Sequence, residues 1–250
     1  MEAHGSAPLI AGWYGKMPCL GDFASRRLDS GFIAAWDSWL QRSLAASRQA
    51  LAASWLETFL RSPMWRFVLT PGVCGADAWT GLLVPSVDKV GRYFPMTFAL
   101  RVPAANTDIT SLFAARTWYQ ALEQVGLLAL SADFSPEALE TALAGLPFPA
   151  VFESSDAASA AMLSWWRNPG GAPQSIQLSD GVPLSAAIDR SASGLVTHAA
   201  AGRTLWWSVE PHAGTTEVHC ANGLPPDTYF EVLLRGVDEK PDVDVQVLQI

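Results

Sequence analysis

Three apolar segments that lie close together in the chain most constrain its fold. Residues 65–70 (Trp-Arg-Phe-Val-Leu-Thr), 78–84 (Ala-Trp-Thr-Gly-Leu-Leu-Val) and 94–102 (Phe-Pro-Met-Thr-Phe-Ala-Leu-Arg-Val) have the length and residue types of strands. Pro71-Gly72 marks a turn after the first of them. Strands joined by short connections usually pair antiparallel, so we expect these segments to form an antiparallel sheet.

The longest helical pattern covers residues 31–60. Apolar side chains recur there at helical spacing, at Phe32, Trp36, Leu40, Leu44, Leu51, Trp55 and Phe59. This stretch is long for one globular helix, so we expect a break near Ser47, and Pro63 ends the pattern. Trp36 and Trp55 are expected to be mostly buried against the sheet.

The remaining segments alternate between the two kinds of pattern. Further helices are predicted at residues 111–130, 135–145, 156–167 and 226–234, and further strands at 8–14, 174–178, 204–209 and 215–220. Ser135-Pro136-Glu137 is a typical helix start. The sequence therefore predicts an α/β fold, a layered α/β sandwich in which helices cover a mixed, largely antiparallel sheet.

The domain organisation is less sharply marked. We divide the chain into an N-terminal region, residues 1–146, a C-terminal α/β region, residues 147–236, and an acidic tail, residues 237–250. The C-terminal region is expected to pack on the N-terminal one, either as a subdomain or as part of the same domain. In the tail, Val243, Val245 and Val247 alternate with polar residues, which is strand periodicity.

The charge is unevenly distributed. The net charge is −8, and residues up to Arg116 carry eleven Lys/Arg against eight Asp/Glu, whereas the rest carries five against sixteen. An acidic half argues against binding to a nucleic-acid backbone, which requires a basic surface. It suits a protein partner with a basic patch, although acidic surfaces more often serve solubility.

The sequence also indicates a compartment. Cys19, Cys74 and Cys220 are far apart and odd in number, which is not a disulfide framework. The first residues show no signal-peptide pattern, and no apolar run approaches the roughly 18 residues of a membrane span. We therefore expect a cytoplasmic protein without membrane insertion; no pattern indicates an oligomeric state.

A glycine-rich motif follows the first predicted strand. The run Gly12-Trp13-Tyr14-Gly15-Lys16-Met17-Pro18-Cys19-Leu20-Gly21-Asp22-Phe23 superficially resembles a phosphate loop. A phosphate loop, however, has four residues between its glycines and a Ser or Thr after its Lys, and Pro18 has no N–H to offer a phosphate. The alternative is a tight turn with Lys16 solvated or paired. For Asp22, capping of a following helix and binding of a partner are equal alternatives.

A second motif, Gly91-Arg92-Tyr93-Phe94-Pro95, precedes the third central strand. In one interpretation it is a turn leading into the strand, with Pro95 at the strand start. In the other, Arg92 lies beside Asp22 as a buried ion pair or as a partner contact. We expect Lys16, Asp22 and Arg92 to gather on one face, with Asp22 and Arg92 as the natural pair.

Catalytic and metal-binding patterns are weak. The chain lacks Cys-x-x-Cys, His-x-x-x-His, His-Glu-x-x-His and Gly-x-Ser-x-Gly motifs. A nucleophilic site would have to be assembled from scattered residues, such as His198 with Asp189 and a serine. We therefore expect a protein that is not an enzyme and that has no cofactor and no metal.

The first motif resembles the N-terminal signature of the TagF (ImpM-like) family, roughly Gly-x-x-Gly-Lys-Leu/Met-Pro-x-x-Gly-Asp-Phe. Further matches are Arg26, the Trp-rich helix after Phe32, the second motif, and Gly223-Leu224-Pro225 after a late Trp-Trp. The resemblance is close from about Pro8 to Leu146 and looser beyond. It marks as candidate site residues, partner-binding or structural, Gly15, Lys16, Pro18, Gly21, Asp22, Phe23, Arg92, Phe94 and Pro95.

The resemblance implies a function. Members of the family accompany type VI secretion systems and are regarded as post-translational repressors that act through the cytoplasmic scaffold Fha, which carries a forkhead-associated domain. The family fold is a three-layer α/β sandwich, and no catalytic residues are established. Two alternatives stay open at this point: a ligand- or nucleotide-responsive switch or enzyme centred on the Gly15-Lys16 loop and Arg92, and a purely structural part of the secretion machine.

Overall fold

The computed structural model describes residues 9–104, 108–149, 157–167, 177–178, 183–210 and 215–236. Within them, seven strands form one sheet in the order β2-β1-β5-β4-β3-β6-β7. The strands are β1 (Gly12–Lys16), β2 (Phe23–Arg26), β3 (Trp65–Leu69), β4 (Ala78–Val84), β5 (Met96–Val102), β6 (Arg203–Glu210) and β7 (Thr215–Asn222). Every pairing between these strands is antiparallel, and the three segments predicted from the sequence are neighbours at the centre of the sheet.

Helices cover both faces of this sheet. They are α1 (Ser30–Leu51), α2 (Trp55–Arg61), α3 (Ile109–Ala114), α4 (Arg116–Ala129), α5 (Pro136–Ala144), α6 (Ala157–Trp166), α7 (Leu184–Ala199) and α8 (Phe230–Arg235). Asp29 caps α1 by accepting a hydrogen bond from the N–H of Phe32. Ser135 caps α5 through the N–H of Ala138, as the sequence predicts.

Two apolar cores lie between the layers. On one face, α4 and α5 pack on the sheet through residues such as Tyr119, Leu122 and Leu139. On the other face, Trp36 and Trp39 of α1 pack against Trp206, and Trp36 is fully buried there. Phe230 of α8 meets Trp39 edge-on. The Trp36 indole donates to Thr97 Oγ1 at 2.8 Å, so its polar atom is satisfied. The predicted α/β sandwich is thus confirmed, with all its described strand pairings antiparallel.

The break in the first helix lies later than predicted. Helix α1 continues through Ser47 to Leu51, and Ala52, with φ of 46°, opens a 3₁₀ turn that leads into α2. The Ser47 hydroxyl donates to the Leu44 carbonyl and accepts from Trp55 Nε1, both at 3.0 Å. Ser47 therefore links the two helices across the break instead of making it. Trp55 is buried, as predicted.

Several other elements differ from the sequence patterns. The predicted helix 111–130 is divided at Ala115, and the first strand is shifted to Gly12–Lys16. Helix α7 escaped prediction because serines, threonine and Gly194 are weak helix formers. Gly194 instead allows close packing on α6, since a Cβ there would lie 2.8 Å from a methyl group of Leu163.

The C-terminal elements continue the sheet that the N-terminal region begins. Strand β6 pairs with β3, and α8 packs against α1 and α2. Residues 177–178 are not in a strand; the rest of the strand predicted at 174–178, and the tail from residue 237, lie outside the described residues.

Candidate functional site

The two sequence motifs meet at one end of the sheet. Strand β1 pairs with β2 on one side and β5 on the other, so the turn after β1 lies beside the loop that connects β4 to β5. The N–H of Lys89, in this loop, donates to the Leu20 carbonyl at 2.9 Å. Pro18 occupies the second position of the turn Met17–Leu20, where its fixed φ is favourable.

A buried carboxylate, Asp88, joins the motifs. Its side chain is completely buried, and its Oδ2 accepts from Lys16 Nζ at 2.9 Å and from Arg92 Nε at 2.7 Å. Its Oδ1 accepts from the N–H groups of Val90 at 3.0 Å and Arg92 at 2.9 Å. Four donors therefore converge on one carboxylate, which is the arrangement that a buried charge requires.

The protonation equilibrium of Asp88 reflects these contacts. Burial alone raises the pKa of a carboxyl group, but the hydrogen bonds from the backbone and side chain of Arg92, from Lys16 and from the N–H of Val90 outweigh it. The pKa of Asp88 is consequently held well below its ordinary value. The carboxylate stays ionised at neutral pH and holds both cations in place.

Arg92 extends this network across the gap between the loops. Its guanidinium also donates to the Gly21 carbonyl, in the turn after β1. On the other side, the Ser86 hydroxyl donates to the Lys16 carbonyl at 2.6 Å. Each motif is thus tied to the other loop by side chain to backbone contacts as well as by the ion pairs.

The glycines of the first motif have different roles. Gly15 has φ of 136°, and a Cβ at this position would lie 2.4 Å from the Pro95 carbonyl oxygen. The backbone at Gly15 therefore excludes a side chain, which explains why Pro95 of the second motif can lie so close. A Cβ at Gly21 would meet no atom within 4 Å, and the Gly21 carbonyl accepts a hydrogen bond from the Arg92 guanidinium.

The prediction that Asp22 pairs with Arg92 is wrong. The Asp22 carboxylate is exposed and accepts from the N–H of Phe23 at 2.8 Å, while Arg92 binds Asp88. Asp22 caps no helix either, because Phe23 begins β2; the cap of α1 is Asp29. Lys16 and Arg92 do come together as expected, but on a carboxylate that sequence reasoning missed. The sequence signal for Asp88 is its position just before a turn that contains Gly91 and Arg92, where an aspartate side chain can accept hydrogen bonds from backbone N–H groups that follow it.

Aromatic rings cover the network. Phe23 stacks on Tyr14, with centroids 5.7 Å apart, and meets Phe94 edge-on at 4.8 Å. Lys16 Nζ lies 4.8 Å from the Phe23 ring centroid, within cation–π range. Phe94 is buried, but Phe23 is 42% exposed and presents its outer edge to solvent.

The exposed residues above the network form a continuous rim. We call this rim the signature surface, and it comprises Gly21, Asp22, Phe23, Lys89, Val90, Gly91 and Arg92. Val90, at the tip of its loop, is 66% exposed. The signature surface combines an exposed ring, an exposed aliphatic side chain and charged groups. Its backbone is held by hydrogen bonds to Asp88 and to Arg92.

The geometry speaks against phosphate binding by Lys16. Its side chain is 6% exposed, and its ammonium is occupied by Asp88. Gly15 and Lys16 belong to β1 and pair with Ala24 and Phe23 of β2, so they do not form an open loop. A phosphate could reach Lys16 only by displacing a buried carboxylate.

The other residues considered for chemistry do not assemble into a site. His198 and Asp189 lie nine positions apart on α7, on opposite faces of that helix. Burial raises the pKa of the Cys74 thiol to about 12, so at neutral pH it is protonated and weakly nucleophilic. The described residues contain no group of three or more His, Cys, Asp or Glu side chains arranged to hold a metal ion.

Comparison with known proteins places this fold and motif set in a family. Residues 12–146, more than half of the chain, match the family described as the TagF N-terminal domain, type VI secretion system-associated. The crystal structure of PA0076 from Pseudomonas aeruginosa PAO1 superposes with a TM-score of 0.70 at 32% sequence identity, covering 93% of this chain and 97% of that one. No match was found among proteins with curated descriptions.

These findings define a layered α/β protein associated with type VI secretion. The chain belongs to the TagF family, as the motif resemblance predicts, and it is an accessory protein of that secretion system. None of the helices in the described part of the chain is long and apolar enough to cross a membrane.

Proposed function

We propose that the chain represses type VI secretion post-translationally by binding the cytoplasmic Fha-type scaffold, and that it acts by binding rather than by catalysis. Family membership supports the accessory role. The observation that carries the proposal further is the signature surface, which displays Phe23 at the start of β2 and Val90 and Arg92 on the β4–β5 loop, next to the Asp88 network that ties these segments together.

Rigidity favours such a surface as a binding site. Loops that are ordered before association lose less conformational entropy when a partner binds. Exposed aromatic and arginine side chains are also the residue types that most often dominate binding energy at protein interfaces. Arg92 meets this description because its side chain is 53% exposed although its Nε is fixed on Asp88.

Binding is preferred to catalysis for a related reason. The charged groups of the motifs are used to satisfy one another: Lys16 is buried, and Asp88 is occupied by four hydrogen bonds. The network therefore supports a positioning role for the exposed residues beside it.

We also propose that the chain is cytoplasmic, because the scaffold that it would bind is cytoplasmic.

Copurification tests the contact. Tagged chain expressed in cells with an active secretion system should retrieve the Fha-type scaffold, and Val90→Asp should reduce the retrieved amount at least ~10-fold, since it places a charge in an apolar contact. Val196→Asp is the matched control, because Val196 is also half exposed but lies on α7. The proposal would be contradicted if the tagged chain retrieved no type VI secretion component, or if Val90→Asp and Val196→Asp reduced the retrieved scaffold equally.

A second comparison addresses the aromatic ring. Phe23→Ala should weaken scaffold binding, whereas Phe113→Ala, on a comparably exposed ring of α3, should leave it unchanged. Thermal unfolding of all variants identifies any that are simply destabilised.

Secretion itself separates repression from a structural role. Deletion of the chain should increase effector release if it is a repressor. Loss of secretion on deletion would instead indicate an assembly component of the machine.

A further inference from the structure

The two edges of the sheet are unlike. Strand β2 at one edge has four residues and ends in Arg26, followed by Arg27, and short length and charge are ways in which proteins protect an edge. Strand β7 at the other edge has eight residues, Thr-Thr-Glu-Val-His-Cys-Ala-Asn, without Lys, Arg or Pro. Among the described residues, nothing pairs with its outer edge.

The side chains of β7 alternate between two environments. Val218 lies opposite Trp207 of β6, is 57% exposed and shares its face with the exposed Cys220. On the other face His219 packs edge-on against Trp65, with centroids 4.9 Å apart. This strand thus offers a row of backbone groups, with exposed side chains on one face, to an added strand.

We propose that the outer edge of β7 pairs antiparallel with the same edge of a second copy of this chain. An antiparallel pair of identical strands has two-fold symmetry, so the contact is self-complementary and closes at two copies. Pairing that centres on Val218 places Val218 opposite its counterpart and Glu217 opposite His219 of the other copy.

Charge favours this register over those centred on the two adjacent residues. Centring on Glu217 would oppose two carboxylates directly, and centring on His219 would oppose two imidazoles, whereas the Val218 register opposes unlike groups twice. Within one copy, His219 Nε2 lies 3.1 Å from Glu217 Oε1, so the two groups are already neighbours on this face of β7. The Val218 register continues this row with the carboxylate and the imidazole of the second copy.

The size of the contact sets its strength. One pair of eight-residue strands buries less than the roughly 1,200 Å² of a stable interface. The dimer is therefore weak and depends on concentration. It also lies at the opposite edge of the sheet from β1 and β2, so it is independent of the signature surface.

Sedimentation equilibrium of the full chain over a concentration series tests the proposal. The wild type should form dimers reversibly, and Val218→Lys, which opposes two ammonium groups, should weaken association at least ~10-fold. Val196→Lys on α7 is the matched control and should associate like the wild type. A chain that is monomeric at every concentration, or a dimer that survives Val218→Lys, overturns the proposal.

Crosslinking tests the register. With Cys220→Ser as the background, Val218→Cys should oxidise to a disulfide-linked dimer, because the two substituted positions lie opposite one another. The background alone, and Ala221→Cys in it, should crosslink far less. Equal crosslinking at both positions overturns the register, and crosslinking of Val218→Cys to a different secretion protein in cells assigns the edge to another partner and overturns the second copy.

Discussion

Replacing Lys16 with Met tests whether the buried network holds the two motifs together. The Met side chain keeps most of the length and apolar volume of the lysine stem and removes only the charged end. The change therefore reports on the ammonium, which lies 2.9 Å from Asp88 Oδ2 in a site where the two side chains are 6% and 0% exposed.

The expected effect follows from this burial. Removing one partner of a buried ion pair costs ~3–5 kcal/mol, because the remaining charge loses its compensation. In this network Arg92 and two backbone N–H groups still bind the carboxylate, which places the cost of Lys16→Met at the lower end, ~3 kcal/mol. For a chain of this size that corresponds to a decrease in Tm of ~6–12 °C.

Urea unfolding monitored by tryptophan fluorescence measures the change, and Lys89→Met is its control. Lys89 follows Asp88 in the β4–β5 loop, but its side chain is exposed, so its replacement should change the free energy of unfolding by no more than ~0.5 kcal/mol. If Lys16→Met and Lys89→Met unfold at the same free energy within error, the ammonium does not stabilise the loops and the reasoning about the network is wrong.

Three further expectations concern the core and the motif loops. Gly15→Ala should destabilise by more than ~1 kcal/mol in urea titrations because of its positive φ and its contact with the Pro95 carbonyl, whereas Gly21→Ala should stay within ~0.5 kcal/mol, and similar values would contradict the backbone argument. Trp36→Ala should lower the free energy of unfolding by ~3–5 kcal/mol, since it empties a fully buried site and removes the donor to Thr97. A decrease below ~1.5 kcal/mol would show that the surrounding side chains collapse into the space. The lowered pKa of Asp88 means that its ionised form contributes stability above the ordinary carboxyl pKa of about 4 and that this contribution is lost as the pH falls toward the lowered value. Thermal unfolding of Asp88→Asn should therefore vary less between pH 4 and 2 than that of the wild type, and parallel profiles would disprove the assignment.

Much of the architecture could be predicted from local patterns. Strands β3 and β4 were predicted within a residue or two because their apolar runs are bounded by turn residues, and α5 was predicted from its Ser-Pro-Glu start. These features depend only on neighbouring residues in the chain, so they can be recognised without knowledge of the fold. Helix α7 was missed because its stability derives from packing on α6 and α3, which local propensity does not report.

The candidate site was predictable only in part. Density of glycine, proline and charge singled out Lys16 and Arg92, which meet on Asp88, and it also drew attention to Gly15, whose positive φ disfavours a side chain. The choice of Asp22 as their partner failed because it relied on nearness to a motif. Asp88 is the partner of Lys16 because of the sheet topology. Strand β1 pairs with β5, and this pairing places the β4–β5 loop, which carries Asp88, next to Lys16.

The network also determines which variants can reveal function. Lys16 and Asp88 are buried, so their replacement alters the shape of both loops, and a loss of partner binding in such variants would not distinguish contact from unfolding. Val90 lies above the network and is anchored through its backbone N–H, so its side chain can be changed without removing a donor from Asp88. A partner that binds the signature surface must therefore respond to Val90→Asp while the stability of the chain does not.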